Sequence, residues 1–136
     1  MNSPDNLLYE YAVVRYVPRV DREEFINIGL LMLCKRQKWM KGEINLDFKR
    51  LEAFDSRVDM ERLIIQASLF ERRDVPESDL PIEEKYRWLT AVKSAVLQVS
   101  SSHPGFINKE INDKKEAVEI LEKEFNRLYR ELVLVD

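Results

Sequence analysis

Three stretches near the start of the chain carry the hydrophobic pattern of β-strands. Leu8–Val17 is largely apolar on both faces and rich in aromatic and β-branched residues, and Pro18 ends it by removing a backbone donor. Phe25–Cys34 is apolar almost throughout, which predicts a strand covered on both sides. Trp39–Asp47 alternates apolar and polar residues, as a strand with one exposed face does. The short connections between the three stretches predict an antiparallel meander.

After the third strand the hydrophobic period changes to that of helices, with apolar residues recurring every three or four positions. Asp47 and Asp59 stand where N-caps of two such helices would be. The predicted helices are Phe48–Phe54, a helix that follows Asp59, a helix from Pro81 to about Leu89, and one from about Asn112 to Leu132.

Lys93–Ser100 is predicted to be a fourth strand, and the following residues 101–105, Ser-Ser-His-Pro-Gly, to be a turn. The fold class is therefore α+β. We expect an antiparallel sheet of about four strands, made of the N-terminal three-strand meander plus a later strand, with helices packed mainly on one face.

Composition narrows the functional classes. The 136 residues predict a single domain over positions 1–136, and a formal net charge of −3 argues against a generally basic nucleic-acid binder. The single cysteine, Cys34, fits a reducing compartment, and with the single histidine, His103, it supplies only two of the soft ligands that a zinc site needs. There is no phosphate-cradling glycine loop, signal peptide or stretch of membrane-spanning length. We therefore expect a cytoplasmic protein with no metal and no cofactor.

Three residues in the first two strands are unusual for their positions. Arg15 lies on an apolar strand face, so it either extends to solvent or presents its guanidinium to a carboxylate or phosphate, and Glu24 is its expected internal partner. Asn27 and Gly29 fall on the same side of an apolar strand by alternation. The glycine indicates a bulge or a close backbone approach, so valine there should destabilise the protein, while the asparagine amide needs partners in the fold or in a ligand.

A second group of candidate residues spans the junction between the third helix and the fourth strand. They are Arg87, Trp88, Thr90, Lys93, Ser94 and Gln98, followed by His103. Interleaved aromatic and cationic side chains can bind a nucleotide or a nucleic-acid backbone, but a core tryptophan with solvated cations around it gives the same pattern. The histidine has only turn serines beside it and no strained turn that would orient a nucleophile, so we interpret it as a turn residue.

Most of these candidates fall in two blocks of sequence. The first block is Tyr11–Pro18 followed by Glu24–Gly29, and the second is Arg87–Ala91, then Lys93, Ser94, Gln98 and His103–Gly105. In this order they resemble a bacterial family known only as domain of unknown function 3037, over about Tyr9–Leu132. Two positions depart from that family: Val92 stands where proline is frequent, and Lys93 where arginine is frequent. Lysine lacks the planar fork of arginine, which weakens any bidentate role there.

The resemblance implies a bacterial cytoplasmic protein and brings no activity or catalytic residue with it. It also implies a regulatory partner, because such genes have neighbours that encode kinase-like proteins of the HipA type.

Two functions are compatible with the sequence. In the first, the candidates form a surface of a small non-enzymatic recognition or regulatory module that binds a protein partner. In the second, Arg15, Asn27, Arg87, Lys93 and His103 line a cleft that binds or processes a phosphate-containing ligand, either a nucleotide or a nucleic acid. The lack of a second histidine and of a carboxylate cluster favours the first, and we expect no hydrolase or transferase turnover by the chain alone.

Overall fold

The computed structural model describes residues 6–70, 81–91 and 96–134. Its centre is an antiparallel meander of β1 (Asn6–Tyr16), β2 (Ile26–Cys34) and β3 (Trp39–Ile44), in which β2 pairs with both neighbours. The three predicted N-terminal strands are confirmed. The first two are apolar on both faces because each has a strand on either side and a core on either face.

The other side of β1 pairs with two short strands, β4 (Leu97–Val99) and β5 (His103–Asn108), so the sheet has five strands. The predicted turn at 101–105 is therefore wrong, because His103–Gly105 belongs to β5. Val14 pairs with Val99 of β4, and Tyr11 pairs with His103 of β5. Between these two pairs, the segment that joins β4 to β5 has one residue more than β1 has. Serine, proline and glycine in this segment mark that irregularity and the start of β5 instead of a reversal of the chain.

Ser100 holds the irregular segment in place. Its backbone N–H donates to the Val13 carbonyl, and its hydroxyl accepts from the Val13 N–H, both at 2.9 Å. Gly105 then leaves room for the Tyr9 ring, since a Cβ at this glycine would lie 2.5 Å or less from two ring carbons. Both features let the edge strand continue past the serines.

Four α-helices follow the meander in the described part of the chain. They are α1 (Phe48–Phe54), α2 (Met60–Ala67), α3 (Ile82–Thr90) and α4 (Lys114–Leu132), and 3-10 turns occupy Val20–Arg22 and Ser68–Phe70. The predicted caps are confirmed, because the Asp47 and Asp59 carboxylates accept the N–H groups of Arg50 and Arg62. Asp113 caps α4 in the same way through the Glu116 N–H at 2.8 Å.

The sheet separates two apolar cores. On one face α1, α2 and α3 contribute Leu51, Leu63, Tyr86 and Leu89 to a cluster with the even-numbered side chains of β1 from Ala12 to Tyr16. On the other face α4 contributes residues such as Phe125, which is fully buried. The predicted α+β class with helices mainly on one face is confirmed, and among the described helices α4 is the one that packs on the opposite face. No helix in the described ranges is both long enough and apolar enough to span a bilayer.

A β-bulge in β2 decides which way the unusual residues point. Val14 pairs with Gly29 but Arg15 pairs with Asn27, so Ile28 is an extra residue in β2. Ile28 joins the core under α1–α3, while the Asn27 amide donates to the Leu132 carbonyl at the end of α4. The prediction that Asn27 and Gly29 share a side is therefore wrong, because the extra residue reverses the alternation. The predicted bulge itself is confirmed.

Candidate recognition surface

Arg15 is a half-buried cation on the α4 side of the sheet. It lies directly between Asn27 of β2 and Gln98 of β4, and residues paired in this way present their side chains on the same face. Its guanidinium carbon stands 4.1 Å from the centre of the Phe25 ring, and its buried Nε has no hydrogen-bond partner. A buried donor without an acceptor costs about 1–3 kcal/mol. The guanidinium is thus held in a defined place with hydrogen-bonding capacity unused.

Asn27 is braced by the C-terminal end of α4. Its Nδ2 donates to the Leu132 carbonyl at 3.0 Å, and Arg50 Nη1 donates to the carbonyls of Asn27 and Val133 at 2.9 and 3.1 Å. The buried Oδ1 of Asn27 accepts no hydrogen bond. The amide therefore uses its donor in the fold and leaves its acceptor beside the unpaired Nε of Arg15.

We call Arg15, Phe25, Asn27 and Gln98 the Arg15 surface. The Phe25 ring is 45% exposed, and Gln98 is half-buried. Farther along the same face, the exposed His103 ring lies 5.3 Å from the ring of Tyr11. Tyr11 is four residues before Arg15 in β1, which corresponds to about 13 Å along the strand. The structure thus brings together Arg15, Asn27 and Gln98, and it places His103 on the same face at a distance.

Arg87 lies on the opposite face of the sheet, on α3. Its Nη2 donates to Glu10 of β1 at 2.7 Å, and the same carboxylate accepts from Ser102, whose hydroxyl is 2.9 Å from that of Tyr86. Hydrogen bonding to Arg87 holds the pKa of Glu10 below its ordinary value. This network attaches α3 to β1 and to the segment before β5. The single cleft predicted to contain both Arg15 and Arg87 is therefore not formed, because the sheet lies between them.

The remaining α3 candidates follow Arg87 to that face. The Trp88 ring is 43% exposed, and the Thr90 hydroxyl donates to the Arg87 carbonyl within the last helical turn, so Thr90 has a local structural role. Lys93 and Ser94 lie outside the described residues.

Glu24 pairs with neither Arg15 nor another strand cation, so the prediction that such a pair helps to hold the first hairpin is wrong. Its carboxylate accepts from Arg22 Nε within the same exposed loop. The local cause is the 3-10 turn at Val20–Arg22, after which Glu23 adopts a left-handed conformation with φ of 54°. Glu24 consequently returns toward the turn, and Phe25 takes the position over Arg15.

Two of the three serines near His103 have hydroxyls that are engaged elsewhere. The Ser100 hydroxyl accepts from the Val13 N–H and donates to the Ser101 carbonyl, and the Ser102 hydroxyl contacts Glu10 and Tyr86. Within the described ranges, no three histidine, cysteine or acidic side chains are grouped so that they could hold a metal ion. The Arg15 surface therefore presents hydrogen-bonding groups and a positive charge.

The family model of a protein of unknown function, DUF3037, matches residues 11–133. The chain belongs to the DUF3037 family. The resemblance seen in the two sequence blocks is thus confirmed, and the matched range contains the whole Arg15 surface. Neither the curated proteins nor the solved structures contain a match to the chain.

Sequence reasoning missed Phe25 in the Arg15 surface, Arg50 beside Asn27, and Glu10 in the network around α3. Phe25 was counted only as the start of an apolar strand, although an aromatic ring beside a charged loop is a common platform for arginine. Arg50 carries no sequence signal, because it meets Asn27 only through the fold. Glu10 could have been noticed as a carboxylate inside a largely apolar strand.

Proposed function

We propose that this chain is a non-enzymatic recognition module that binds a protein partner through the Arg15 surface. One observation carries the proposal: the half-buried Arg15 guanidinium lies on the Phe25 ring and makes no hydrogen bond or ion pair with any described residue, so its terminal amino groups are left for a partner although its Nε is buried. Arginine and aromatic side chains are the residues that most often dominate the energy of protein interfaces. No carboxylate in the described ranges forms an ion pair with Arg15, so an acceptor can come from outside.

The chemistry of the surface defines the group it binds. A guanidinium accepts a carboxylate in a bidentate manner, which makes an aspartate or glutamate of the partner the matching group. The Oδ1 of Asn27 on the neighbouring strand also lacks a donor, but it is buried and is not open to the partner. Gln98 flanks Arg15 on the other side and offers both a donor and an acceptor. The surface therefore suits an acidic side chain presented together with its backbone amide.

A regulatory role through a partner also agrees with the environment of His103. The Ser100 hydroxyl is bonded to Val13, and the Ser102 hydroxyl to Glu10 and Tyr86. Neither hydroxyl is therefore placed as a nucleophile that His103 could activate as a base. The first partner to test is a HipA-type kinase-like protein, which the family resemblance implies.

The test is a calorimetric titration of the purified chain with that kinase-like protein. We expect Arg15→Ala to weaken binding by at least roughly tenfold, and Arg15→Lys to fall between it and the parent because the charge remains but the fork is lost. Arg36→Ala is the matched control, since Arg36 is an exposed arginine in the turn between β2 and β3, at the opposite end of β2 from Asn27. Circular dichroism checks that each variant is folded.

Two results would overturn the proposal. One is an Arg15→Ala variant that binds the partner as well as the parent does, or a parent that forms no complex with it. The other is tight, salt-sensitive binding of a nucleotide or short RNA that Arg15→Ala abolishes, which would assign the surface to a phosphate ligand.

A further inference from the structure

A separate cleft lies on the α1–α3 side of the sheet, between the end of β1, the connection of α1 to α2, and α2 itself. Its volume is about 320 Å³. Cavities that bind small molecules start at about 300 Å³, so the cleft has the size of a small-ligand site. Three arginines, Arg19, Arg57 and Arg62, and two aspartates, Asp55 and Asp59, line it. Its lining is thus positive by one charge in a chain whose net charge is −3.

Both aspartates of the cleft are already engaged as acceptors. The Tyr16 hydroxyl donates to Asp55 Oδ2 at 2.6 Å, and the Arg57 N–H donates to Asp55 Oδ1 at 3.1 Å. Asp59 caps α2 by accepting the Arg62 N–H. Burial and the bond to Asp55 raise the pKa of the Tyr16 hydroxyl, so it stays a neutral donor at physiological pH. The carboxylates therefore serve the backbone and Tyr16.

Two of the three arginines, by contrast, have guanidiniums that are available to bind a ligand. Neither Arg57 nor Arg62 has an ion-pair partner among the described residues, whereas Arg19 is bonded to Asp21 at 2.5 Å. Pro18 and Val96, which are half-buried, contribute apolar surface to the same cleft. The cleft thus combines two free guanidiniums with an apolar patch.

We propose that this cleft binds a small phosphomonoester whose organic part is apolar. A phosphomonoester carries close to two negative charges at neutral pH, and its oxygens match the forks of two guanidiniums. The apolar part would lie against Pro18 and Val96. This site is independent of the Arg15 surface, because Arg15 points to the opposite face of the sheet.

Phenyl phosphate is the probe, and benzoate is the matched ligand with one negative charge. We expect phenyl phosphate to bind at least roughly tenfold more tightly than benzoate, and Arg57→Ala and Arg62→Ala each to weaken it by a similar factor, as lost charged hydrogen bonds do. Arg130→Ala and Arg15→Ala should leave the affinity unchanged. Lowering the pH below about 6 should weaken binding, because the phosphate dianion takes up one proton there and becomes a monoanion.

The measurement is an NMR or calorimetric titration, with thermal melts to show that the variants remain folded. Both arginines are exposed, so their removal leaves the core intact. The proposal is overturned if the double variant Arg57→Ala/Arg62→Ala binds phenyl phosphate like the parent. It is also overturned if benzoate binds equally well, or if the parent binds neither compound.

Discussion

Replacing Gly29 by alanine is expected to destabilise the protein by about 1.3 kcal/mol, within a range of about 0–2.6 kcal/mol. A Cβ at this position would lie 2.8 Å from the Glu43 carbonyl oxygen and 3.2 Å from Val14 Cβ, and it would collide with the end of the Ile44 side chain. The isoleucine can rotate, but the carbonyl belongs to the backbone of β3. Overpacking costs about 1–3 kcal/mol, and the stiffer unfolded chain returns only about 0.4–1 kcal/mol, so the net effect is a loss.

Urea unfolding and thermal melts measure this loss. At about 4 °C per kcal/mol for a chain of this length, Tm should fall by about 5 °C. The double variant Gly29→Ala/Ile44→Val removes the side-chain collision but not the one with the Glu43 carbonyl, so it should recover only part of the loss. Gly29→Val should be worse than Gly29→Ala. If Gly29→Ala is as stable as the parent, or if the double variant recovers fully, the Glu43 carbonyl does not limit this position and the reasoning is refuted.

Two further substitutions test the network around β1. Ser100→Ala removes the acceptor of the buried Val13 N–H and should cost about 1–3 kcal/mol in urea unfolding, whereas the exposed Ser101→Ala should stay within about 0.5 kcal/mol of the parent. Because Arg87 lowers the pKa of Glu10 in the folded state, this pair stabilises the protein fully above the ordinary value of 4.5 and progressively less as pH falls through the lowered pKa. Glu10→Gln should therefore be less stable than the parent at pH 7, with the difference shrinking in acid; a pH-independent difference would contradict this.

Most elements of this fold follow from local patterns in the sequence. The apolar stretches of β1 and β2 predict central strands, because only a strand covered on both sides can keep both faces apolar. Asp47 and Asp59 indicate helix starts, because a carboxylate placed there binds N–H groups that the helix leaves free. These patterns involve residues only a few positions apart, so they can be recognised in the sequence without knowledge of the fold.

The sequence also singled out Arg15, Asn27 and Gly29 as exceptions to those patterns, because a charge, an amide and a glycine fit poorly in apolar strands. It could not say on which face they lie. Alternation assigns faces only while the ladder is regular, and the extra residue Ile28 reverses it between Gly29 and Asn27. The tertiary structure alone therefore placed Asn27 beside Arg15.

The pairing of charges was decided by the tertiary structure as well. Arg87 is bonded to Glu10, which is 77 positions away, and Glu24 is bonded to Arg22 in its own turn and not to Arg15. Arg15 consequently keeps an unpaired Nε on a face shared by three strands. Sequence spacing determines which side chains are charged and where helices and strands begin. Which charges neutralise each other, and which are left to bind something else, depends on distances that exist only once the strands have paired and the helices have packed.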